Sequence, residues 1–255
     1  MGERRGTALL AVLATTALVG LTAAVMAASV TAAEGDSLPD LGMARVADVK
    51  VEKTNDGRRL LRFTAVIVNV GRGPFELHLT RASTSDPMSV TQRIYTSSGT
   101  RDVSSVAGTV FGGDGHNHWH IIGLENSELI RLDNGAKVGS GVKLGYCFLD
   151  NVKYRLTLPG APTSPRYGTC LTAGTQTWLD VTLGLSVGWG DEYRWSLPDQ
   201  YVDITGLTAG RYRLHVTADT QGLFVESDET NNGTWVDLQI KGQGSVRIDG
   251  YGPAA

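Results

Sequence analysis

Beyond its first thirty-odd residues, no long stretch of this chain carries apolar side chains at helical spacing; what recurs is a period of two, broken by glycine. In residues 60–70, Leu61, Phe63, Ala65, Ile67 and Asn69 face one way, and Leu60, Arg62, Val66, Val68 and Val70 the other. Gly71 and Gly73 stop this β-branched run, and residues 75–79 read as its hairpin partner. Residues 211–217 set Arg211, Arg213 and His215 against Tyr212, Leu214 and Val216. Asn232-Gly233 then gives a hairpin signal before a closing strand at 235–240. Short strands with Gly-rich turns predict an all-β chain, an immunoglobulin-like β-sandwich core with long irregular loops and little helix. Residues 158–196, rich in Gly, Pro, Ser and Thr, read as a long irregular stretch, which in a compact domain is more often functional than idle.

The start of the chain is of another kind. Arg4 and Arg5 precede an apolar run at 8–25, followed by Ala-x-Ala-like endings at Ala28 and Ala33. That order predicts an export signal over 1–33, with an uncleaved membrane anchor as the alternative. The expected domain is then 36–242, with a flexible Gly-rich tail at 243–255. The expected location is secreted, with no membrane contact once the signal is removed. A net charge of -3 with scattered Lys and Arg gives no basic stripe for nucleic acid. Cys147 and Cys170 are the only cysteines, and an even pair in an exported chain favours one disulfide over two buried thiols.

His116, His118 and His120, three of the five histidines, occupy every second position. On a strand they point to one face with Cα atoms about 6.6 Å apart, so a modest twist converges three imidazoles on one ion. Imidazole suits copper, zinc, iron and nickel, and three ligands leave a position open for chemistry. Gly112, His118-x-His120 and Glu125 also fit the first half of a cupin metal motif, but the spacing of the second half fails around Gly210 and His215.

Further pieces fall in a recognisable order. Leu38-Pro39-Asp40-Leu41 is followed by Arg59-Leu60-Leu61-Arg62-Phe63, Val68-Asn69-Val70-Gly71 and the triple-histidine stretch. Then come Lys143-Leu144-Gly145-Tyr146-Cys147-Phe148-Leu149-Asp150, Asp191-Glu192-Tyr193, Gln200-Tyr201-Val202-Asp203 and Glu226-Ser227-Asp228-Glu229-Thr230-Asn231-Asn232. In this order, over residues 38–240, the chain resembles the catalytic domain of lysyl oxidases. The resemblance implies a copper-dependent amine oxidase that turns primary amines, small or in the lysines of proteins and peptides, into aldehydes. Dioxygen is the oxidant, and ammonia and hydrogen peroxide are released. It also implies Cu(II) on His116, His118 and His120, and a lysine tyrosylquinone cofactor built by joining Lys143 to an oxidised Tyr193. Lys153 is the nearest competing lysine. Asp191 is the expected base, with a turn-capping role as its alternative. Asp40, the Leu41 carbonyl, Glu226, Asp228, Asn231 and Asn232 would form a Ca(II) site, against a plain polar turn.

The chain departs from animal members of that family in its two cysteines, in a longer segment between Lys143 and Tyr193, and in lacking the Trp and Cys before His116. Two other functions compete: a non-catalytic immunoglobulin-like cell-surface binding module, and a cupin-like metal-dependent oxygenase.

Overall fold

The structure, a computed structural model, describes residues 32–112, 117–168, 170 and 175–255. The export signal therefore lies almost wholly outside the described residues, as does His116. Among the described residues no helix is long and apolar enough to cross a membrane.

The all-β expectation holds: among the described residues, strands in four sheets carry the fold, with a 3-10 turn at Gly242–Gly244, and no sheet closes on itself. The eleven-residue strand Arg59–Asn69 is the spine of the first sheet and is buried along most of its length. Leu41–Met43 and Ala47–Lys53 pair antiparallel with it, as do Trp189–Tyr193 and Tyr201–Asp203. Buried neighbours on both faces explain why this strand reads as nearly continuous apolar sequence. A second sheet centres on Gly210–Ala218, flanked by Glu125–Arg131 and Gly233–Ile240. Here alternation is strict, with Tyr212, Leu214 and Val216 fully buried against Val236, Leu238 and Ile240. The Tyr212 hydroxyl donates back to the Thr208 carbonyl at 2.7 Å, a tyrosine corner of the kind found in immunoglobulin-like sandwiches.

Three local expectations fail for identifiable reasons. Phe75–Thr80 is not the hairpin partner of the spine; it pairs with Ser89–Thr96 and Asp180–Leu185 in a third sheet. The chain crosses between sheets at Gly71 and Gly73, where a Cβ on Gly73 would lie 1.8 Å from the Ser37 carbonyl oxygen. Asn232-Gly233 is likewise no tight turn. Thr217 pairs with Gly233, so residues 218–232 form a long excursion and Asn232 is buried at its return. The tail is also ordered: Val246–Tyr251 adds an edge strand to Gly233–Ile240, and Ala255 N donates to the Met43 carbonyl at 3.1 Å.

The irregular stretch at 158–196 is irregular only in its first part. Its second part supplies the buried strands Asp180–Leu185 and Trp189–Tyr193. Asp150, itself buried, anchors both parts. Its carboxylate accepts from Arg166 N, Tyr167 N, Ser186 N and the Ser186 hydroxyl at 2.7–3.1 Å.

Candidate active site

The small fourth sheet sets Trp119–Ile122 between Thr109–Phe111 and Gly145–Tyr146. His120 lies on this central strand and His118 just before it, and both are buried. Their ring centroids are 4.4 Å apart, which places the two imidazoles side by side. The neighbouring segment approaches closely because residue 145 is glycine: a Cβ there would fall 2.9 Å from His120 Cβ.

Lys143 follows the strand Lys137–Ser140 and is 9% exposed, unusually little for a lysine. Its Nζ lies 5.2 Å from the centre of the Tyr193 ring and 5.4 Å from that of Tyr146. The two rings meet edge to face at 4.9 Å. By contrast, Lys153 is exposed on a two-residue strand paired with Trp189–Gly190.

Tyr193 and Asp191 sit two apart on Trp189–Tyr193 and so share a face. The Tyr193 hydroxyl donates to Asp191 Oδ2 at 2.5 Å and lies 3.2 Å from the Cys147 carbonyl. Asn151 fixes the other Asp191 oxygen at 2.9 Å. Burial pushes the Asp191 carboxyl up to about 7, against the lowering pull of Tyr193, Asn151 and the Lys143 charge. Burial first, then the Asp191 charge, pushes the Tyr193 phenol well above its ordinary value. Asp191 thus accepts from the phenol and from Asn151, the two contacts that hold its carboxylate.

Cys147 and Cys170 form a disulfide, with Cα atoms 6.0 Å apart. The Nδ1 or Nε2 of His118 lies within 4.8 Å of both sulfurs, but bridged sulfurs are not thiolate ligands. A cavity of about 150 Å³ collects His118, His120, Lys143, the disulfide, Asp191 and Tyr193. A wider groove of about 430 Å³ opens beside it, sharing His120 and Lys143. Val110, Ile122, Val142 and Leu144 form its exposed apolar collar, with Asp199 and Tyr201 beside them.

On the other side of Lys143 is a chamber that the motif reading missed. It measures about 60 Å³ and is lined by Glu125, Ser127, Lys143, Tyr146 and Gln200 among others. Glu125 entered the sequence reading only as half of a cupin motif. No spacing rule links residues 125, 143 and 200; only folding brings them together.

On the edge of the first sheet beyond Asn69, Asp40, Leu41, Glu226, Asn231 and Asn232 converge. Asn231 Nδ2 donates to Asp40 at 2.9 Å, Asn232 Nδ2 to Glu226 at 3.1 Å, and Leu41 N to the other Glu226 oxygen. The Oδ1 atoms of Asn231 and Asn232 are buried without a hydrogen-bond partner. Burial pushes Glu226 well above its ordinary value, and the charges of Glu229 and Asp219 add to this. Asp219, Glu226 and Glu229 bring carboxylate oxygens within 4.8 Å of one another. Asp228 is exposed instead, with its Oδ1 taken by Thr230.

A family model described as lysyl oxidase matches residues 109–249. Lysyl oxidase homolog 3 of Homo sapiens is 30% identical over 175 residues, 69% of this chain and 18% of that protein. Lysyl oxidase homolog 4 of Homo sapiens is 30% identical over 177 residues, again 69% of this chain and 18% of the relative. Lysyl oxidase homolog 2B of Danio rerio is 27% identical over 178 residues, 70% and 18% respectively. The match thus spans under a fifth of the length of these relatives.

Proposed function

Because the chain belongs to the lysyl oxidase family, we propose that it is a secreted, copper-dependent amine oxidase whose quinone cofactor is made from Lys143 and Tyr193. The observation that carries this reading is the meeting, around one cavity, of the buried Lys143, Tyr193, Asp191 and two histidines. The donors fit copper: His118 and His120 offer two adjacent buried imidazoles, and His116 would complete the set. Copper, when bound, would supply with dioxygen the oxidation of the Tyr193 ring.

The chain's own residues do the rest. Asp191 orients the Tyr193 phenol and takes its proton, for which an acceptor near 7 is well matched. The Cys147 carbonyl gives the hydroxyl a second anchor, which the disulfide helps to fix. Lys143 supplies the amine nitrogen from above the ring. The substrate, a primary amine or a peptide lysine, would enter by the groove shared with His120 and Lys143. Asp40, Leu41, Glu226, Asn231 and Asn232, with Asp228 at the rim, would hold a structural calcium ion. Its fit rests on the two buried amide oxygens that have no hydrogen-bond partner among the described residues.

The test is amine-dependent peroxide release by the copper-loaded protein in air, beside Lys143→Ala. Release by the wild type, blocked by a carbonyl reagent and lost in the variant, is expected. Silence across an amine panel with copper shown to be bound would sink the proposal.

A further inference from the structure

Glu125 lies on Glu125–Arg131 and is buried at 6% exposure, five residues past His120. One carboxylate oxygen accepts from the Ser127 hydroxyl at 2.8 Å. The other, Oε2, makes no hydrogen bond of good geometry among the described residues, nor does either polar atom of the buried Gln200 amide, although Gln200 lies near enough to the carboxylate to lower it. An unsatisfied buried carboxylate oxygen costs stability and calls for an explanation. These groups line the 60 Å³ chamber, and Lys143 is a wall of both that chamber and the cavity holding Tyr193.

We propose that this chamber is a proton-handling site and that Glu125 takes the ammonium proton of Lys143 as its nitrogen bonds to the oxidised Tyr193 ring. The assignment rests on the amine-oxidase reading and deepens it. A lysine attacks a ring carbon only with its electron pair free, so the proton must leave first. In the step, one proton passes from Lys143 Nζ to Glu125, directly or through water, for which the chamber has the size and polarity. The nitrogen's electron pair forms the N–C bond, the displaced ring hydrogen leaves as a proton with its electron pair passing into the ring, and dioxygen, reduced to water and hydrogen peroxide over the whole sequence, is the oxidant for the ring. Asp191 serves the phenol on one side of Lys143, and Glu125 the ammonium on the other.

Electrostatics agree with this division. Burial pushes the Glu125 carboxyl up to about 7, while Ser127, the Lys143 charge and Gln200 pull it down. The other titratable groups around it are Tyr146 and Tyr193, both raised by burial, with Asp199 and Tyr201 on the chamber wall.

The experiment follows formation of the Lys143–Tyr193 cross-link by peptide mass spectrometry after copper is added in air, across pH, with bound copper and the disulfide verified. Glu125→Gln is expected to slow cross-linking about 100-fold near neutral pH. Its rate should keep climbing with pH where the wild type levels off, and Glu125→Asp should restore part of it. Should Glu125→Gln not fold, Ser127→Ala, which frees the carboxylate from its hydroxyl, is expected to shift the wild-type pH profile. Cross-linking by Glu125→Gln at the wild-type rate, or an equal loss at every pH, would overturn the role of Glu125 alone. A copper-bound wild type that never cross-links would overturn the amine-oxidase reading, and this assignment with it.

Discussion

At the scale of single residues, spacing is decided by atoms that are absent as much as by those present. Gly145 lets its strand lie against His120 with no room for a methyl group. Gly145→Ala is therefore expected to displace the His120 imidazole and weaken copper binding roughly 10- to 100-fold, read by titration of the metal-free protein. His118, His120, Lys143, Asp191 and Tyr193, which line one cavity, each stand in the sequence in a local motif or an ordered piece of the family pattern. Asn151 stands in none of these pieces, and Glu125 and Gln200 stand in pieces that give no hint of a meeting with Lys143. That meeting runs through strand pairing and sheet packing.

Elements show the same division. Period-two alternation located the strands around 60–70 and 211–217, where one or both faces meet the core. Partner choice was misread wherever a turn signal was taken as a hairpin. Gly71 and Gly73 mark a crossing between sheets, and Asn232-Gly233 the end of a long excursion. Residues 158–196 looked structureless because buried strands such as Asp180–Leu185 mix Asp, Thr and Gly with their apolar residues, and glycine there makes room for packed neighbours. A Cβ on Gly184 would lie 2.6 Å from the Tyr167 ring. The disulfide closes a loop across this region with a sequence separation of 23. Replacing both cysteines by serine is expected to cost about 3 kcal/mol in denaturant unfolding.

For the molecule as a whole, the buried acids set how stability depends on pH. Glu125 rises from 4.5 to about 7 and Asp191 from 3.8 to about 7, so each binds a proton more tightly when folded than when unfolded. The contribution is fully present below the unfolded values and is lost as pH rises through about 7, so the Tm of the metal-free protein is expected to fall across that window. Glu226, also raised by burial, adds to the loss in its own cluster. Calcium held by Glu226 and its neighbours would offset it there. Free calcium at about 100 times its dissociation constant is expected to raise the Tm by about 5 to 10 °C, an effect reversed by a chelator and larger above pH 7 than near pH 5. The collar of Val110, Ile122, Val142 and Leu144 has a consequence of its own. Dissolved ions that screen charged partners from one another leave an aliphatic rim nearly untouched, and sulfate, by its exclusion from such surfaces, tightens what they hold. A ligand held through this rim is expected to keep its affinity as salt rises, read by binding titrations at low and high sulfate.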